Sequence, residues 1–586
     1  MSAFGIAIPE AFTALQSKMI RVEKIETLED LLGLGPAWND LVNVAGSDAI
    51  FLSHEWITIW WRIFAGSKKL FVLAARSEGK TIGIAPLMLS VQRRLWRTVK
   101  TLEFIGRPDS SHYDFISLDA EATAEAIAGY LHDHKELWTR LEFPNIDDNS
   151  RFLKPFRDSL IRRGYKPLMR TIRIATRSNP RETAGRETMG SEASDSSLAA
   201  IKKWGEPELD EICELKGLNS NMPVFFQVHI NSKRMAPFPS KFNHSPCRRF
   251  YYDFVKAFAP QNKVFMARLR AGEILVSYGL CFLSGGVVRV YDIASNLLFH
   301  NHEPDRVFLR MLADKFKRQG YQLQCLDVPD LARRMNLTPC DVAHDFNVCS
   351  GRLASLGAQF KRHVAEWEPV AGLLGDERVR VARGKMQAIS YKKGKGKLLA
   401  TFVQKALEAI GQFVVFYREY YIYRHSGGPE KAIRIKVDIE IRKLEIADID
   451  RIASFYGIQA EHHKYETFKK RFEKGADCYA ALHNGYPVSM IWGLYHEDYH
   501  REFNISLEPA KDEVVLSDAL TAPIYRSMGT GHYILSAMLN EYHRTGYKAI
   551  AGVLKSNTPS RKGLESFDFK HVRTMRILKI FKIRII

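Results

Sequence analysis

Tyr525-Arg526-Ser527-Met528-Gly529-Thr530-Gly531 joins a β-like run, Val514 to Ala522, to an amphipathic helix. An Arg-x-x-Gly-x-Gly corner at a helix start leaves successive backbone N–H groups uncovered, because two positions carry no Cβ. The helix dipole favours an anion at the same place. The stretch reads as a pyrophosphate cradle, and that reading sets the fold expected on either side of it.

Downstream, Ile534, Leu535, Met538, Leu539 and Tyr542 recur at helical spacing, with Ser536, Asn540, Glu541, His543 and Arg544 between them and Gly546 as a cap. A short apolar strand, Ala549 to Leu554, follows. Asn557-Thr558-Pro559-Ser560 then opens a second helix that ends near Phe567-Asp568-Phe569. Upstream, Ile439-Glu440-Ile441-Arg442 reads as a strand, Ala447 to Tyr456 and His462 to Glu473 as helices, and Cys478 to Tyr495 as a hairpin turning at Asn484-Gly485.

In this order the stretch from about Ile439 to Ile586 resembles the GNAT superfamily of CoA-dependent N-acyltransferases. That family carries Gln/Arg-x-x-Gly-x-Gly/Ala, then Asn-x-x-Ser before an aromatic residue. The resemblance implies acetyl-CoA or another acyl-CoA as donor, with Arg526, Ser527, Met528, Gly529, Thr530 and Gly531 on the pyrophosphate. It also implies that the strand backbone near Leu520 and Ala522 pairs with the pantetheine arm. Asn557 and Ser560 would contact the thiol end or order the adjacent helix. A general base must then deprotonate the acceptor within hydrogen-bond reach. Asp518 and Glu497 are the weak candidates, each also readable as a solvated or ion-paired carboxylate. Leu564 stands where many members place a Tyr that protonates the leaving thiolate, so that role has no assigned residue. Asp568 replaces a customary Gly in a turn.

The amino-terminal part carries a second set of motifs. Phe51-Leu52-Ser53-His54-Glu55-Trp56 runs through Trp60-Trp61 into a strand, Leu70 to Arg76, and a hairpin reaches Gly83-Ile84-Ala85-Pro86-Leu87. Leu102-Glu103-Phe104-Ile105-Gly106 precedes Tyr113-Asp114-Phe115. Farther on come Phe225-Phe226-Gln227-Val228-His229, Phe238-Pro239-Ser240-Lys241-Phe242, Arg249-Phe250-Tyr251, paired strands from Val264 to Ala294, Asp345-Phe346 and Phe360-Lys361-Arg362. This succession resembles the CelD/BcsL family of acetyltransferase-like proteins linked to cellulose and exopolysaccharide production. It implies two fused GNAT-like folds of the Fem type, in which His229, Tyr278, Tyr291 and Lys361 line an acceptor cleft. Glu303-Pro304-Asp305-Arg306 replaces the family's Pro-Gly helix start, and an Asp there repels a phosphate. The tryptophans at 56, 60 and 61 suit a core better than a sugar platform.

The chain has 586 residues and 46% hydrophobic composition, enough for several cores. The expected division is 20–176 and 198–370 as two GNAT-like subdomains, 371–432 as a basic and aromatic helical connector, and 433–586 as a GNAT domain. The stretch from Arg177 to Ser197 reads as an exposed linker. Seven cysteines lack any Cys-x-x-Cys pair, which argues against zinc and disulfide frameworks, so no metal is expected. Met1 to Leu15 lacks a basic start with an apolar core, and no uncharged apolar run is long enough to span a bilayer. A cytoplasmic protein is expected.

A net charge of +19 favours acidic partners without choosing among them. Basic residues from Arg378 to Lys397 precede a helix read over Thr401 to Arg424, whose Phe and Tyr face could adhere to an anionic membrane. The same helix could instead pack between domains. No sequence-specific nucleic-acid signature is present.

The whole reads as a mixed α/β protein: a tandem GNAT-like, Fem-like unit plus a carboxy-terminal GNAT acyltransferase fold. The expected reaction moves an acetyl or other acyl group from coenzyme A to an amine or hydroxyl, on a small-molecule or saccharide acceptor of the cell envelope or an exopolysaccharide. Two rivals remain open: a Fem-like aminoacyl or peptidyl transferase using charged tRNA, and a membrane-associated scaffold with degenerate acyltransferase domains. Leu564 and Asp305 favour the scaffold; the intact corner at 526–531 disfavours it.

Overall fold

The computed structural model describes residues 20–44, 50–326 apart from 95–96, 108–109, 111–112, 148, 178–189 and 234–238, then 338–349 and 415–585 apart from 426, 428–432, 434, 459–461, 501–504 and 581–582. It is a mixed α/β protein, and a parallel strand pair joined by a helical crossover recurs three times along it.

The first copy uses β1 (Arg21–Ile25), helix α1 (His54–Phe64), β2 (Val72–Ser77), β3 (Lys80–Ala85), β4 (Leu87–Arg94) and β5 (Arg97–Phe104). Helix α2 (Ala120–Asp133) then crosses to β6 (Arg140–Asp147), followed by α3 (Leu153–Arg162) and β7 (Leu168–Arg177). Strands β5 and β6 run parallel over Thr101↔Arg140 to Glu103↔Glu142. The helical crossover is what a parallel pair requires. Trp56 and Trp60 of α1 are buried core residues, as their spacing predicts.

The second copy comprises α4 (Gly190–Lys202), β8 (Pro207–Ile212), α5 (Leu215–Ser232), α6 (Ser245–Phe258), β9 (Val264–Ala271), β10 (Ile274–Ser284), β11 (Val287–Ser295), α7 (Pro304–Arg318), β12 (Gln322–Leu326) and β13 (Thr338–Cys349). Strands β8 to β11 are antiparallel, whereas β11 and β12 are parallel over Val287↔Gln322 to Val290↔Cys325. These strands continue into the first copy as one sheet, ordered β8-β9-β10-β11-β12-β7-β13-β6-β5-β4 and then Lys69–Leu70. Helix α4 corrects the linker reading of Arg177 to Ser197 from Gly190 onward, and 178–189 lie outside the described residues. Ile201 is buried in a core with Val307, Phe308 and Leu312, and Asp195 pairs with Arg310 at 2.5 Å. The polar composition of 190–197 belongs to a helix with one buried stripe.

The third copy is an eight-stranded sheet, β15-β16-β17-β18-β19-β14-β20-β21. Its elements are β14 (Val415–His425), β15 (Glu440–Leu444), α8 (Ile449–Tyr456), α9 (His463–Glu473), β16 (Asp477–His483), β17 (Tyr486–Leu494), β18 (Glu513–Thr521), α10 (Thr530–Arg544), β19 (Lys548–Leu554), α11 (Thr558–Glu565), β20 (Phe569–Ile580) and β21 (Ile583–Ile585). Strand β14 overturns the helix read over Thr401 to Arg424 wherever that stretch is described. It pairs with β19 on one side and with β20 on the other. Aromatic and β-branched residues favour this half-buried pleated position. The basic stretch 378–397 and the rest of that reading lie outside the described residues, as does Lys361.

Helix α5 lies between the second and third copies, and every residue from Asn221 to Asn231 is buried. A continuous core cluster takes in Phe225 and Tyr251 on one side and Tyr486 and Tyr525 on the other.

Candidate functional site

Strands β18 and β19 are parallel only over Glu513↔Lys548 to Leu516↔Ala551. Beyond Leu516 the ladder ends. Opposite, the register of β17 on β18 shifts between Met490 and Trp492, and Asp518 takes a left-handed φ of 44° at this bulge. The strand pair opens there, and the chain leaves β18 through Pro523–Tyr525 into the corner.

At the corner Ser527 has φ 65° and Gly529 has φ 88°, and α10 starts at Thr530. The Met528 N–H donates to the Tyr525 carbonyl at 3.2 Å and closes the turn. The first four N–H groups of any helix have no intrahelical partner, which leaves those at the start of α10 directed outward at its positive dipole end. Gly531 is required by approach: a Cβ there would lie 2.8 Å from Thr521 Oγ1. The residues predicted from the Gly-x-Gly spacing are thus brought together. Arg526 is exposed, with Nε donating to the Thr521 carbonyl at 3.4 Å.

The pantetheine-side candidates sit differently. The Ala522 N–H donates to the Val488 carbonyl at 2.8 Å, and the Leu520 carbonyl accepts from Ser489 Oγ at 3.2 Å. Both groups therefore face β17. Alternation along the strand turns the backbone of Thr521, between them, toward the opening. Asn557 caps α11, its side chain accepting from the Ser560 N–H at 3.3 Å, which fits the helix-ordering role.

Asp518 stands at the bulge, and its carboxylate is held by Arg471 Nη1 at 2.8 Å and Lys464 at 3.9 Å. Its carbonyl accepts from the Tyr456 hydroxyl at 2.6 Å. The phenol is half-buried, and burial, followed by the charge of Asp518, pushes its pKa well above the usual tyrosine value. Glu497 is exposed and accepts from Ser506 Oγ. The sequence reading missed Arg471 and Tyr456. The signal available was an Arg three residues after Phe468, and its guanidinium stacks over the rings of Phe468 and Trp492.

Where the thiolate acid would stand, Leu564 is half-buried against the core. On the neighbouring strand Tyr423 donates to Glu565 Oε1 at 2.8 Å, and burial and then that carboxylate raise its pKa. His532, in the first turn of α10, lies against α11: its Nε2 would be 3.3 Å from a Cβ at Gly563.

In the second copy, His229 and Tyr291 gather around Asp292. Its carboxylate meets Lys241 Nζ at 2.8 Å, accepts from the Tyr251 hydroxyl at 2.7 Å and lies 3.6 Å from His229 Nε2. Burial alone would raise the Asp292 pKa, but Lys241 and His229 hold it well below the usual carboxylate range. Tyr278 points elsewhere, donating to Asn221 Oδ1 at 2.6 Å. The start of α7 is acidic: Asp305 accepts from Ser295 Oγ, and Glu303 has φ 42°. The start of α7 thus carries Asp305 and Glu303, the latter paired with Arg306 at 3.1 Å, whereas the first turn of α10 carries no acidic side chain. Among the described residues no three His, Cys, Asp or Glu side chains cluster as metal ligands, and no helix is long and apolar enough to cross a membrane.

No family model and no curated protein matches this chain. Similar solved structures include a protein of the GNAT acetyltransferase family from Novosphingobium aromaticivorans, at 16% identity and a TM-score of 0.21, the match covering 28% of this chain and 66% of that one. A tandem GNAT protein from the clavulanic acid biosynthesis pathway is similar at 10% identity and a TM-score of 0.32, over 56% of this chain and 99% of that one. FemX is similar at 10% identity and a TM-score of 0.36, over 56% of this chain and 96% of that one.

Proposed function

We propose that the protein is an acyltransferase whose carboxy-terminal domain binds an acyl-CoA and passes the acyl group to an amine or hydroxyl. One observation carries this reading. A parallel strand pair parts at a bulge, and the strand on one side of the opening runs directly into a helix start built by Ser527, Gly529 and Gly531. A diphosphate fits the uncovered amides, and an extended arm fits the opening beside Thr521.

The thioester would then lie near Asp518. An acceptor amine or hydroxyl attacks the thioester carbonyl and loses its proton to a base, and the CoA thiolate departs and takes up a proton. Asp518, paired with Arg471, sets the shape and charge of this end of the opening. For the acceptor we propose a saccharide or related precursor of the cell envelope, on the strength of the amino-terminal motifs.

Calorimetry with acetyl-CoA tests the reading. Saturable binding that is lost in Gly529→Glu, where a carboxylate enters the cradle, supports it. Absence of binding to the wild-type chain refutes it.

A further inference from the structure

The corner at 526–531 is not held by the carboxy-terminal domain alone. Tyr525, the residue before Arg526, is fully buried, and its hydroxyl meets His483 Nδ1 at 2.9 Å. Its phenol pKa is raised by burial first and then by the phenols of Tyr278, Tyr252 and Tyr486. Two of those three belong to the second copy of the fold. Tyr525 shares one core with Phe225, Tyr251 and Tyr278, which seats it at the junction between the copies, and the loop that follows hangs from it.

A chain of buried amides reaches the same place. Gln227 of α5 is fully buried; its Oε1 accepts from the Ile524 N–H at 3.4 Å, and its Nε2 donates to Asn231 Oδ1 at 2.9 Å. Asn231 Nδ2 donates to the Tyr486 hydroxyl at 2.6 Å. Six residues before Gln227, Asn221 Oδ1 accepts from both Tyr278 and Asn484 Nδ2, the latter at 3.0 Å. Residues 227 and 231 are one helical turn apart and share a face. A buried amide network of this kind fixes geometry because each unpaired member is costly.

We infer that α5, through Gln227, is the positioning element of the donor corner, so that the amino-terminal copies serve as the mount on which the carboxy-terminal site is built. The inference deepens the acyl-CoA reading, and its test does not depend on that reading. Gln227 is itself no part of the corner at 526–531. It acts by holding Ile524, two residues before the turn that exposes the amides of 529–531.

Residue-resolved hydrogen exchange on the full-length chain tests it. In the wild type the Ile524 amide exchanges at least about 100-fold more slowly than an open peptide. In Gln227→Met, similar in length but without a polar head, that amide and the Met528 amide speed up about tenfold while the β16–β17 ladder is unchanged. In Gln227→Glu, which keeps an acceptor oxygen, protection at Ile524 returns. Ser220→Ala removes an exposed hydrogen bond to the Gly217 carbonyl within α5, away from the corner, and leaves Ile524 as in the wild type. Unchanged exchange at Ile524 in Gln227→Met, or equal acceleration across the hairpin, overturns the inference. Should Gln227→Met fail to fold, a wild-type Ile524 amide exchanging like an open loop does the same. Acetyl-CoA affinity read on the same proteins falls about tenfold in Gln227→Met and less than twofold in Ser220→Ala. If the wild type binds no acetyl-CoA, the donor reading fails while the exchange data still decide the positioning role.

Discussion

Asp518 and Arg471 meet at 2.8 Å at the bulge where β18 parts from β19, with the arginine side chain 8% exposed and the carboxylate 27% exposed. The pair ties the opening to α9. Removing the carboxylate leaves a nearly buried cation over Phe468 and Trp492, a situation that costs about 3–5 kcal/mol in buried pairs and less with this much exposure. Asp518→Asn is expected to lower the denaturation midpoint clearly. Arg471→Met, which removes the stranded charge and keeps apolar volume, is expected to cost less. A larger loss in Arg471→Met would contradict the assignment of the stress to the cation.

Gly531 lets α10 approach β18. A methyl at this position meets Thr521 Oγ1, so Gly531→Ala should destabilise by about 1–3 kcal/mol, as overpacking does, and should weaken acetyl-CoA binding. Thr521→Ala in the same chain removes the obstructing oxygen and should recover most of both losses. Additive losses in the double variant, measured by denaturant titration, would show that the clash is not the cause.

Ser527 occupies the left-handed region without being glycine. Ser527→Val should cost about 1–2 kcal/mol, the penalty of that conformation for a Cβ-branched residue, whereas Ser527→Gly should not destabilise. A thermal melt of the three proteins checks the order.

Burial lowers the His483 pKa, opposed in part by Asp438. A neutral folded imidazole and an unfolded one near 6.5 mean that the unfolded chain binds more protons as pH falls through that value. His483 therefore contributes a loss of stability on acidification from about pH 7 to 5. His483→Gln should flatten that part of the stability profile. An unchanged slope would place the titration elsewhere.

The carboxy-terminal corner was legible because local chemistry writes it. Glycines mark the turn, five apolar residues mark one face of α10, and all five are buried. Asn484 and Gly485 both have positive φ, as a tight hairpin turn requires. Strand β14 was not legible. Its aromatic run satisfies helical spacing, and its partners β19 and β20 lie more than 120 residues downstream. Non-local pairing of that kind leaves no local mark. The ion pair of Asp518 was hidden for the same reason, since Arg471 lies in a separate helix. At Leu520 and Ala522 the strand was legible, but which backbone groups bond to β17 was not, because that phase is fixed by the neighbouring strand.

The proposed activity stands on backbone amides at the start of α10 that grip a diphosphate. A crystal structure of the full-length protein with acetyl-CoA tests it most directly. Diphosphate density is expected within hydrogen-bond reach of the N–H groups of Gly529, Thr530 and Gly531, with the arm running past Thr521 toward Asp518. Side chains filling that opening, or the cofactor bound elsewhere on the protein, would contradict it.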